Sequence, residues 1–84
     1  MSKHEQVDWT TEKIETFLEL SKPIMTDKER EIFLMHIKHE PRSKIAMVTG
    51  YEITTIDKKL VRIKHIYDRV RVLAPEILPE RRVK

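Results

Sequence analysis

Hydrophobic residues recur three or four positions apart along most of the chain, which is the pattern of amphipathic helices. The clearest stripe lies in the second half, at Ile56, Leu60, Ile63, Tyr67 and Val70. No segment alternates hydrophobic and polar residues in the way a half-buried strand does. The pattern therefore predicts an all-α fold.

Local signals divide this pattern into four helices. Thr10 is the predicted N-cap of the first helix, which ends near Ser21 because Pro23 disfavours a helical conformation at the residue before it. Thr26 and Glu29 have the spacing of a capping box, in which each side chain accepts a hydrogen bond from the other's backbone N–H. This pair is expected to begin the second helix.

The only glycine in the chain separates the last two helices. A short third helix is predicted over about 43–49, and Gly50 follows it where a left-handed residue commonly ends a helix. The fourth helix is expected to begin within 52–54, with Thr54 and Asp57 as a capping pair. A length of about 20 residues would make it roughly 30 Å long.

These boundaries predict one domain, residues 10–73, between two shorter segments. Residues 1–9 are polar and are predicted to be flexible, while residues 74–84 contain two prolines and a basic end and are predicted to be irregular or mobile. Trp9 is expected to pack the first helix onto the bundle as a staple against Ile14. A chain of 84 residues supports only one small core.

Charge is distributed unevenly along the chain. Five basic and eight acidic residues precede Ile32, whereas twelve basic and six acidic residues lie from that position onward. The basic excess favours an anionic partner for the second part, although solvated helix faces of many proteins are also rich in charge. The sequence has no cysteine and no apolar run of signal-peptide or membrane-spanning length, so we expect a cytoplasmic protein.

The third and fourth helices form a helix-turn-helix pattern with basic residues on the outer face. In such motifs the second helix enters the major groove of DNA, and the preceding helix crosses the phosphate backbone. Arg62 is the best candidate for a bidentate contact with guanine, and Ile45, Ile53 and Leu60 are expected to complete the inner surface. An ordinary three-helix bundle has the same pattern without binding DNA. The candidate DNA-binding residues are Arg42, Ser43, Lys44, Thr54, Thr55, Lys58, Lys59, Arg62, His65 and Arg69.

The run MTDKEREIFLMHIKHEPRSKIAMVTGYEITTIDKKLVRIKHI resembles region four of bacterial sigma factors and the LuxR-type response-regulator domains. The resemblance covers roughly residues 24–66, half of the chain. It implies a recognition helix at about 53–66, transcription regulation as in small phage-encoded regulators, and contact with RNA polymerase in a bacterial cell or phage-infected host. The matching positions are Thr26 to Glu31, Ile45, Ala46, Gly50, Thr55, Ile56, Leu60 and Arg62.

Two other functions fit the same residues. Glu12, Glu15 and Glu19 in the first helix would form an acidic surface with which a small adaptor binds RNA polymerase or a sigma factor. Small terminase subunits of DNA-packaging machines also carry helix-turn-helix motifs, often with a Gly-Tyr pair like Gly50-Tyr51. That function would predict a larger ring-like oligomer.

The sequence shows no arrangement of catalytic residues, and no motif for a cofactor or small-molecule substrate, so we do not expect an enzyme. His36 and His39 have a spacing that metal ligands use, but no further ligand pair is evident, and a helix-end surface is the expected interpretation. Ile66, Val70 and Leu73 would pack either on the first helix or on a second copy. We expect a homodimer, which would place two recognition helices about one DNA turn apart, roughly 34 Å.

Overall fold

The computed structural model describes residues 8–80 as four α-helices and one turn of 3₁₀-helix. No strand occurs among these residues, so the predicted all-α class is confirmed. The elements are α1 (Thr11–Ser21), α2 (Asp27–Ile37), α3 (Arg42–Thr49), α4 (Ile53–Val70) and the 3₁₀ turn Arg71–Leu73.

The longest helix, α4, packs against each of the other three helices. Its predicted hydrophobic stripe faces the core: Ile56, Ile63, Tyr67 and Val70 are buried, and Leu60 is partly buried. The spacing of three and four residues thus located the buried face of this helix correctly. Because α4 contacts all its neighbours, its orientation fixes which side chains remain on the outside.

Four aromatic side chains join α1, α2 and α4 at one end of the core. The Trp9 ring lies 4.9 Å from Phe33, 5.5 Å from Tyr67 and 5.7 Å from Phe17, measured between ring centroids. The tilted and edge-to-face geometries are those that aromatic quadrupoles favour. Trp9 packs the first helix onto the bundle, as predicted.

Side-chain caps begin the first two helices where the sequence placed them. The Thr10 hydroxyl accepts a hydrogen bond from the Lys13 backbone N–H at 3.3 Å. The Glu29 N–H donates to the Thr26 hydroxyl at 3.1 Å, and the Thr26 N–H donates to the Glu29 carboxylate at 3.0 Å. Both exchanges of the predicted capping box are therefore present.

Residues 50–52 connect α3 to α4 in a tight turn. Gly50 has a φ of +83° and donates its N–H to the Ala46 carbonyl oxygen at 2.8 Å, which ends α3 as predicted. The ammonium group of Lys28 donates to the Thr49 carbonyl oxygen in the same turn. An added Cβ at Gly50 would meet nothing closer than the Lys28 ammonium at 3.9 Å. Glycine is therefore favoured here by the left-handed backbone, and not by lack of space.

Two predictions about the start of α4 are wrong. Ile53 was expected on the inner surface, but its side chain is 47% exposed. Glu52 is the N-cap, and it makes no side-chain capping bond, so Thr54 and Asp57 do not cap the helix. The short connection brings the chain into the helix at Ile53, and Ile56 is then the residue that fills the angle between α3 and α4.

The segment after α4 is held against the core. Leu78 is fully buried, and its backbone N–H donates to the Ala74 carbonyl oxygen at 2.8 Å. The Tyr67 hydroxyl donates to the Pro79 carbonyl oxygen. The predicted domain ended at residue 73, so the contribution of Leu78 to the core was not foreseen from the sequence. The basic end at 81–84 lies outside the described residues.

We predict that Leu78→Ala lowers the free energy of unfolding by about 2–5 kcal/mol, because it leaves a cavity in the core. Leu73→Ala is the matched control: Leu73 is 68% exposed, and its loss should change stability by at most about 0.5 kcal/mol. Urea unfolding followed by Trp9 fluorescence and circular dichroism measures both. Equally small effects would show that residues 75–80 do not belong to the core.

Candidate nucleic-acid interface

The predicted DNA-binding residues lie on α3 and α4 and differ in what they already contact. Eight are exposed, while Thr55 and Lys59 are half-buried. Two of the basic side chains are bound to a buried carboxylate, two form surface ion pairs, and three make no ion pair with the part of the chain that the structure describes.

Glu29 is the buried carboxylate, with only 1% of its side chain exposed. One carboxylate oxygen accepts hydrogen bonds from Lys59 Nζ at 3.0 Å and Arg62 Nε at 2.8 Å. The other oxygen accepts the Thr26 N–H of the capping box. Arg62 also donates from a terminal nitrogen to the Ile24 carbonyl oxygen at 3.1 Å. These contacts connect the beginning of α2 to the middle of α4.

Burial of the Glu29 carboxyl group opposes its ionisation, but the other contacts have the larger combined effect. The hydrogen bond from the Thr26 N–H and those from Lys59 and Arg62 favour the ionised form. The pKa of Glu29 is therefore lowered from its ordinary value of 4.5. The carboxylate is charged at neutral pH, and the two cations compensate this charge where the solvent is excluded.

Glu29 was assigned only a capping role from the sequence, although a signal for its burial was present. It lies three and four positions before Ile32 and Phe33, which are both buried, and so shares their face of α2. A carboxylate on a buried helix face requires cationic partners. That rule predicts basic partners for Glu29, but only the packing of α2 on α4 shows that they are Lys59 and Arg62.

The contacts of Arg62 bear on its predicted contact with guanine. Its Nε and one terminal nitrogen already donate within the chain, to Glu29 and Ile24. A bidentate contact with a base also needs two donors from the same fork. The guanidinium group has five N–H donors, so those that remain on its two terminal nitrogens can still make such a contact from the position in which Glu29 and Ile24 hold it.

Two further predicted residues form ion pairs at the surface. Arg42 lies 2.6 Å from the Asp57 carboxylate and Lys44 lies 3.3 Å from the Glu40 carboxylate, measured between nitrogen and oxygen. Exposed pairs of this kind contribute only about 0–1 kcal/mol, so both cations can exchange their partner for a phosphate at small cost. The pairing with Arg42 also offsets the negative charge of Asp57 on the outer face of α4.

Lys58, His65 and Arg69 remain the most available basic side chains. All three are exposed, and none forms an ion pair or side-chain hydrogen bond with residues 8–80. Lys58 and Arg69 are eleven positions apart, about 16 Å along the helix axis. Together with His65 they make a row of basic residues on the side of α4 that does not face the core.

The fold adds Lys28 to this region, which was not expected from the sequence. Lys28 Nζ lies 5.4 Å from the centroid of the Tyr51 ring, and Lys59 Nζ lies 5.7 Å from the same centroid. Both distances are within the range of cation–π contacts. Lys28 comes from α2, and only tertiary packing brings it next to the turn between α3 and α4.

Other expectations concern metals, membranes and oligomers. Among residues 8–80, no three histidine or acidic side chains are placed to share a metal ion, and none of their helices combines the length and apolar character needed to cross a bilayer.

Ile66 and Val70 are buried within the chain, whereas Leu73 is exposed. Of the residues that suggested a second copy, only Leu73 is left at the surface, and the homodimer stays a prediction.

No protein-family model matches this sequence, and no curated protein or solved structure shows significant similarity to it. The likeness to sigma region four therefore rests on the residues quoted above.

We predict that Glu29→Gln lowers the free energy of unfolding at pH 7 by about 2 kcal/mol, because it weakens hydrogen bonds to a charged group. A carboxyl group whose pKa is lower in the folded state contributes stability above its unfolded pKa, and this contribution is lost as the pH falls through the folded pKa. The difference between wild type and variant should therefore shrink below about pH 4.5.

Urea unfolding at several pH values between 7 and 3 measures this difference. Glu31→Gln is the matched control, since Glu31 is an exposed acid on the same helix. A wild-type advantage over Glu29→Gln that stays constant across this range would contradict the assigned role of the Glu29 charge.

Proposed function

We propose that the chain binds double-stranded DNA through α3 and α4 and regulates transcription. The observation that carries this proposal is the division of α4 into two faces. One face is buried along the whole helix, and the other presents Lys58, His65 and Arg69, which have no ionic partner among the described residues. A row of basic residues with no internal ionic partner suits an external polyanion.

The geometry of the two helices supports a helix-turn-helix assignment. A helix of eight residues, a connection of three and a helix of 18 follow one another, with the left-handed Gly50 in the connection. The 18 residues of α4 span about 27 Å, and the major groove is wide enough for a helix. Arg42, Ser43 and Lys44 at the start of α3 would then lie along the phosphate backbone.

The charges allow a specific account of affinity. Lys58, His65 and Arg69 would meet phosphates without breaking an internal contact. Arg42 and Lys44 would exchange Asp57 and Glu40 for phosphates. Lys59 and Arg62 would add to the positive potential while still bound to Glu29. Affinity of this origin falls steeply with salt, because each neutralised phosphate releases counterions.

The likeness to sigma region four supports the proposed regulation of transcription, and with it a bacterial cell or phage-infected host. A protein–protein function is the second candidate, and one observation favours it. Glu12, Glu15 and Glu19 are all exposed on α1 and pair with no cation of residues 8–80. They form an acidic surface through which RNA polymerase or a sigma factor would be held.

The available cations also determine which variant tests DNA binding. Alanine at Lys59 or Arg62 would remove a partner of buried Glu29, so lost binding would be confounded with lost stability. Lys58 and Arg69 form no ion pair with the described residues, so alanine at these positions should weaken DNA binding without removing a partner of Glu29.

We predict that the double variant Lys58→Ala with Arg69→Ala stays folded and binds a mixed-sequence duplex more weakly than wild type. The slope of log affinity against log salt should fall in magnitude by about 2, since two phosphate contacts are lost. Fluorescence anisotropy across a salt series measures it. Lys22→Ala with Lys38→Ala removes the same charge from the ends of α1 and α2 and should leave the slope unchanged. Equal slopes for both double variants would refute this assignment of the interface.

A further inference from the structure

The turn between α3 and α4 exposes two large hydrophobic side chains. Met47, near the end of α3, is 78% exposed, and Ile53, the first residue of α4, is 47% exposed. Both line a shallow depression on the surface of this turn, together with Gly50 and Thr54. We call Met47 and Ile53 the apolar turn surface.

The position of Ile53 distinguishes it from hydrophobic residues scattered singly on a surface. It occupies the N-terminal end of the helix that we assign to the major groove, and the residues there are the ones that reach base edges. Its exposure follows from the short connection, because the buried position in this turn of the helix is taken by Ile56.

The side chains next to Ile53 at this end of α4 are poorly suited to contact guanine. Glu52 and Asp57 are acidic and Thr54 is neutral, whereas Lys58, the exposed cation nearest to Ile53 on α4, lies five positions further along the helix. In the major groove the 5-methyl group of thymine is the apolar feature of the base edges. An exposed isoleucine among such neighbours is complementary to that methyl group.

We propose that Ile53 is a specificity-determining residue that packs on the 5-methyl group of a thymine, with Met47 beside it. This inference rests on the proposed DNA binding by α3 and α4. Charge favours DNA over an apolar protein surface as the occupant. Lys58 is exposed on α4 and forms no ion pair with the described residues, and a polyanion neutralises it whereas an apolar protein surface does not.

Deoxyuridine provides the test, because it pairs like thymidine and lacks only the methyl group. A duplex that the protein prefers is selected from a random pool, and each thymidine is replaced in turn by deoxyuridine. Binding is measured by fluorescence anisotropy for wild type, Ile53→Ala and Val72→Ala. Val72 is 63% exposed in the 3₁₀ turn beyond α4 and serves as the matched control. Circular dichroism checks that each variant is folded.

We expect one thymidine at which wild type and Val72→Ala lose affinity about fourfold on replacement, the factor that corresponds to about 0.8 kcal/mol for burial of one methyl group. Ile53→Ala should bind both duplexes equally. If wild type binds DNA but loses nothing at any position, or if Ile53→Ala keeps the difference, the inference is wrong while the proposed function stands. No binding to any duplex, even at low salt, would overturn the proposed function itself.

Discussion

The interaction of the buried Glu29 carboxylate with two cations of α4 is the one on which the rest of the structure depends. It completes the capping box at the start of α2 and accepts hydrogen bonds from Lys59 and Arg62 of α4. A carboxylate with 1% exposure is tolerated only when its charge is compensated, and α4 presents two cations toward α2 that do so. This requirement helps to fix the rotation of α4, together with the hydrophobic stripe on the same helix.

The same contact divides the basic residues of α4 by role. Lys59 and Arg62 stabilise the packing of two helices, whereas Lys58, His65 and Arg69 stay available at the surface. The basic residues of α4 therefore include two that hold this helix to α2 and three that face the solvent. If α4 reads DNA, base contacts fall to its N-terminal end, and the available cations supply attraction to phosphates that carries no sequence information.

Several features were predictable because they depend on residues close together in the chain. The capping box at Thr26 and Glu29 and the left-handed Gly50 are set by local hydrogen bonds and backbone sterics. The buried stripe of α4 follows from helical periodicity. The prediction that Ile53 is buried was wrong because periodicity does not show at which residue a helix begins after a tight turn. Leu78 was missed because irregular backbone has no periodic pattern.

The sequence by itself therefore determined the helical class, the helix limits within a few residues and the inventory of basic side chains in the second part. Only the tertiary structure decided which of those side chains are available. Lys28 contacts Tyr51, and Lys59 and Arg62 contact Glu29, across separations of 23 to 33 positions in the chain. Lys59 also lies beside the Tyr51 ring, which is eight positions away. Such contacts depend on how the helices pack, and the spacing of charged residues along the chain does not show which of them form pairs.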